Sequence, residues 1–142
     1  MISKLGFKRL YKLCDFAESL PKEANKHFGM SDYFRHLGAH SHEIPEKPKA
    51  EHLLSCGTTA CMLGWAMTVP AFRRAGLSIY IWHEPSGATR FQVDGSEEVF
   101  GLGYEYDSHR WGQLFGSENK DKTPKAWAKR VRRLLKRWQQ PW

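Results

Sequence analysis

The chain has 142 residues, with 22 Lys and Arg against 15 Asp and Glu, and a formal charge of +7. Its 6 Trp, 5 Tyr and 8 Phe exclude an intrinsically disordered polypeptide, which lacks such groups. Residues 1–124 carry 15 basic and all 15 acidic residues, while 125–142 carry seven basic residues and no acid, which excludes a uniformly basic, histone-like chain.

One domain, 1–142, is the expectation at this length, with a real hydrophobic core. No apolar run reaches the length of a membrane span, so no membrane partner is expected. The opening MISKLGFKRLYKLC has basic residues but no continuous apolar stretch, so a signal peptide is not expected. Three cysteines (Cys14, Cys56, Cys61) are too few for a disulfide scaffold and fit a reducing cytoplasm.

Residues 4–20 predict a helix, with Phe7, Leu10, Cys14 and Ala17 on one stripe. Pro21 ends or restarts it, and a short helical piece follows. From 29 to 55 periodicity is lost and His36, His40, His42 and His52 gather. Loops of such length are usually functional or mobile. A central helix buried on nearly every side is expected at about 57–69, around Cys56-Gly57-Thr58-Thr59-Ala60-Cys61-Met62-Leu63-Gly64-Trp65-Ala66. Pro70 starts a short turn or helix closed by Gly76. A β-hairpin is expected at about 78–93 around Glu84-Pro85-Ser86-Gly87. Asp94 is read as the cap of a short helix ending at Gly101, and another helix runs from about Ser108 to Phe115. Thr123-Pro124 opens the final helix, about 124–138. The expected fold is thus α+β, mainly helical, with one hairpin and a basic amphipathic C-terminal helix.

On a helical wheel the final helix separates its two chemistries. Lys125, Lys129, Arg130, Arg132, Arg133, Lys136 and Arg137 span roughly 340° to 140°, and Trp127, Val131, Leu134, Leu135 and Trp138 span roughly 180° to 280°. The indoles should dock on the body and leave the cations outward. Lys125/Lys129, Lys129/Arg133, Arg132/Lys136 and Arg133/Arg137 are like-charged i, i+4 pairs, which cost stability unless an anion offsets them. All seven are therefore candidate anion-binding residues, for nucleic acid, a nucleotide or an acidic protein surface. Trp82, Trp111 and Trp142 are candidates for base stacking, although most Trp are expected in the core.

Two other chemistries compete. A Cys56 at a helix N-terminus would have a lowered pKa, and with a loop histidine as base it would serve a thiol-dependent hydrolase or transferase. His36, His40, His42 and His52, with Cys56, would alternatively hold a zinc ion in an interaction module. Scattered histidines lack the paired spacing that marks a zinc site, so no metal or other cofactor is assigned.

Cys56-Gly57-Thr58-Thr59-Ala60-Cys61-Met62-Leu63-Gly64-Trp65-Ala66 resembles the Cys-Gly-Thr-x-Ala-Cys-x-x-Gly-Trp-Ala segment of small uncharacterised proteins from phages and bacteria. Gly76-Leu77, Phe100-Gly101-Leu102, Leu114-Phe115 and Thr123-Pro124 extend the resemblance over roughly 56–135. It implies a phage or mobile-element accessory protein acting on a host component, host defence among the targets, and it brings no established activity. The expected function is a non-enzymatic binding protein in the cytoplasm, holding an anionic partner on its final helix.

Overall fold

A computed structural model describes residues 2–30, 35–36, 58–83, 85, 89–103 and 108–139. Helix α1 (Lys4–Ser19) begins where the Ser3 hydroxyl accepts the Gly6 N–H at 3.0 Å, satisfying a donor that the first turn leaves open. It stops before Pro21, and Lys22–His27 continues as a 3-10 helix. Strand β1 (Arg35–His36) pairs antiparallel with β2 (Thr58–Thr59), Arg35 opposite Thr59.

The buried helix around Trp65 is shorter than its sequence suggests. Helix α2 spans Met62–Ala66 and Cys61 is its N-cap, so the helix does not begin near Cys56. The cause is backbone pairing. Thr58 and Thr59 are bound into the β1–β2 ladder, the Ala60 N–H donates to the His27 carbonyl at 2.9 Å, and its carbonyl accepts from Gly29 at 3.0 Å. Two β-branched threonines favour that extended form.

Helix α3 (Pro70–Ala75) opens on proline and closes on Gly76 at φ +128°. Strands β3 (Ser78–His83) and β4 (Thr89–Asp94) form the expected hairpin, in register from Ser78 opposite Asp94 to His83 opposite Thr89. Asp94 belongs to β4, and Gly95, not Asp94, precedes α4 (Ser96–Phe100). The chain turns there at φ +99°, and a Cβ on Gly95 would lie 2.1 Å from the Gly76 carbonyl oxygen, so only glycine fits. Helices α5 (Ser108–Phe115) and α6 (Pro124–Gln139) complete a mainly helical α+β fold. As expected, Thr123 caps α6, its hydroxyl accepting the Ala126 N–H at 3.1 Å.

One core gathers the inward stripes of these elements. Leu10, Leu13, Cys14, Trp65, Phe100, Leu114, Trp127, Val131 and Leu135 are fully buried in it. Ring packing runs through it, from Phe72 edge-on to Phe100 at 5.3 Å, to Phe115 at 5.9 Å, to Trp127 stacked at 6.2 Å. Both buried indoles find acceptors, Trp127 at the Leu114 carbonyl (2.7 Å) and Trp65 at the His27 carbonyl (3.0 Å). The most extensive helix–helix contact joins α1 and α6. They run antiparallel, since Tyr11 donates to Gln139 at 2.8 Å while Arg132, two turns earlier in α6, meets Asp15 and Glu18 further along α1.

Candidate functional site

Helix α6 buries Trp127, Ala128, Val131 and Leu135 and exposes Lys125, Lys129, Arg133, Lys136 and Arg137. Trp138, the second expected anchor, is half-buried, with the Arg110 guanidinium 5.3 Å above its ring. The separation of faces seen on the wheel is therefore real in three dimensions.

The cationic face is not uniform. Arg130 and Arg132 sit at its two borders, at roughly 140° and 340° on the wheel, and both turn back to the body. Arg130 makes a bidentate pair with Asp121, Nε to Oδ1 at 3.1 Å and Nη2 to Oδ2 at 2.7 Å, and its Nη1 donates to the Gln113 carbonyl. Arg132 donates to Asp15 at 2.5 Å and to Glu18, across the α1–α6 seam. Hydrogen bonds to Glu18 and then Asp15 make Arg132 hold its proton more firmly than an ordinary arginine. The acid missing from the final helix is thus supplied by α1 and by the loop before α6.

This removes one of the four repulsive pairs and leaves three. Arg132 no longer opposes Lys136 with a bare charge. Lys125/Lys129, Lys129/Arg133 and Arg133/Arg137 still follow one another along the exposed row. No acid among the described residues lies within ion-pair distance of them. The middle of the face is open while its edges are neutralised.

Directly beneath this border lies Cys14, fully buried. Burial pushes its thiol up to about 12, and the nearby Arg132 charge offsets that only in part. It is a core residue with no nucleophilic character at neutral pH.

The other sequence candidates are placed as follows. Cys56, His40, His42 and His52 lie outside the described residues, as does Trp142, and of His36 only the backbone, in β1, is described. Cys61 is buried at the start of α2. No three potential metal ligands come together among the described residues. Trp111 is half-buried and packs edge-on to Phe115 at 6.0 Å, and the Trp82 side chain is not among those described. No helix is long and apolar enough to cross a membrane among the described residues.

Sequence reasoning missed Asp15, Glu18 and Asp121. They are the acids that decide which cations stay open. Asp121 stands close enough in sequence to Arg130 to be suspected, whereas Asp15 and Glu18 reach Arg132 only through the tertiary packing of α1 on α6. No protein-family model, curated protein or solved structure matches the chain.

Proposed function

We propose that the protein is a non-enzymatic binding protein whose α6 holds an anionic partner through Lys125, Lys129, Arg133, Lys136 and Arg137. One observation carries this assignment: the fold neutralises the two border arginines and leaves the central five cations side by side in solvent. Repulsion along such a row is relieved when an anion covers it. Arg130 and Arg132 serve to fix the helix on the body rather than to bind. A phage-type accessory role against a host component completes the proposal and rests on the resemblance over roughly 56–135, and the cytoplasm rests on the cysteine usage.

Heparin is a suitable polyanionic probe. The full chain should be retained on immobilised heparin at physiological salt, and the Lys129→Glu, Arg133→Glu, Lys136→Glu, Arg137→Glu variant should flow through with an unchanged circular dichroism spectrum. Retention of that folded variant at the wild-type salt concentration removes the proposal.

A further inference from the structure

The row on α6 has a neighbour that the final helix alone does not reveal. Lys4, Lys8 and Lys12 follow one another at i, i+4 along α1, and all three are exposed. They lie on the opposite side of α1 from its buried stripe, Leu10, Leu13, Cys14 and Ala17. Arg9, by contrast, is tied to the Val99 carbonyl at 3.2 Å. No acid among the described residues pairs with the three lysines.

Both helices bury their inner stripes in the same core, and Arg132 reaches across the seam between them. Their outer faces therefore share one surface, offset along the seam: Tyr11 stands opposite Gln139, so Lys12 flanks the end of the α6 row, and Lys8 and Lys4 carry the band on past Gln139. That surface carries Lys4, Lys8 and Lys12 on one helix and the five open cations on the other. Along the α1 flank of the α6 row sits the Arg132–Asp15–Glu18 cluster, with a single net negative charge.

We infer that this two-helix face is the binding surface and that its occupant is the phosphate backbone of a nucleic-acid duplex. The inference rests on the anion-binding role proposed for α6 and extends it. Size and shape favour a duplex over a nucleotide. From Lys125 to Arg137 the helix rises about 18 Å, and about 18 Å of duplex presents on the order of ten phosphate charges. A nucleotide carries only a few charges and is held in a concave pocket, whereas the outer sides of two packed helices enclose nothing.

Among the described residues this face carries no stacking platform for single strands. Their binders place aromatic rings along the groove. Among the described residues the exposed large apolar side chains are Leu5, which is not aromatic, and Tyr80, which is on β3 and on neither helix. Base readout is disfavoured too. Where α1 flanks α6 on the same outer face, at a typical 8–10 Å between axes, the pair presents a front broader than the major groove, which is about 12 Å wide. What remains is contact with phosphates, which is insensitive to sequence.

The test is fluorescence anisotropy of the full chain against a labelled 20-base-pair DNA duplex of mixed sequence, across a salt series. The wild type should show a log–log salt slope of about −5 to −7, near 0.9 per phosphate contact. The Lys4→Gln, Lys8→Gln, Lys12→Gln variant, with unchanged circular dichroism, should lose about 2–3 of that slope. The unlabelled single strand and polyglutamate should compete more weakly than the duplex. An unchanged slope in the triple variant excludes α1 and leaves the α6 proposal standing. Tighter binding of polyglutamate or of the single strand overturns the duplex and assigns the face to that occupant. Failure of duplex, polyglutamate and heparin alike to bind at low salt takes the α6 proposal down as well.

Discussion

Cys14 and Arg132 are neighbours whose protons are held for opposite reasons. Arg132 keeps its charge because Glu18 and Asp15 bond to it, and Cys14 keeps its thiol neutral because it is buried. The consequence for Cys14 is a signed pH dependence. Its folded pKa is raised from 9.0 to about 12. The stability it contributes is therefore complete below pH 9 and is lost as pH climbs from 9 towards 12. At pH 10 the loss is roughly 1–1.5 kcal/mol. Denaturation of wild type and Cys14→Ala should diverge in slope between pH 9 and 11, wild type falling faster, and parallel curves would contradict this. Arg130 and Asp121 act differently at the same scale. Asp121 is the most buried acid of these pairs, with 10% of its side chain exposed, and it is met by two guanidinium nitrogens. Bidentate pairs of this kind fix geometry as well as charge, and here that geometry sets where α6 leaves the preceding loop.

Among the elements, α1 is the keystone, since it packs on α6 along one side and on α4 along another. Its approach to α4 depends on Gly6, where a Cβ would stand 2.5 Å from the Phe100 carbonyl oxygen. Alanine improves helix propensity by roughly 0.5–1 kcal/mol, but a clash with rigid backbone outweighs it. Gly6→Ala should destabilise the protein by about 1–3 kcal/mol in chemical denaturation, and a stabilised variant would show that α1 does not seat this closely. Much at this scale was legible from short-range signals. Ser78–His83 and Thr89–Asp94 announced the hairpin, and Thr123-Pro124 and Gly101 announced helix ends, because caps and turns depend on residues within a few positions. Helix α2 begins later than its apolar pattern suggests, and Asp94 is a strand residue rather than a cap, each because its backbone has a partner. Thr58 to Ala60 are committed to residues 27–36, partners that no local pattern reveals, and Asp94 closes the hairpin register against Ser78.

Across the whole molecule, charge is organised in three tiers: a body whose charges largely cancel, a clamped border of two arginines, and an open band. The first tier was legible as arithmetic along the chain. The second was not, because Arg132 and its partners stand 114 and 117 residues apart and meet only through the α1–α6 contact. The lysine row of α1 was present in the sequence but was eclipsed by the denser run at the other end. The central claim is that the open α6 row, not bulk charge, holds the anion. Matched neutralisation on immobilised heparin tests it most directly. Lys129→Gln with Arg133→Gln removes two charges from the row, and Lys22→Gln with Lys26→Gln removes two from the exposed 3-10 helix after α1. The first variant should elute at clearly lower salt than wild type and the second within error of it; equal shifts in both would contradict the account.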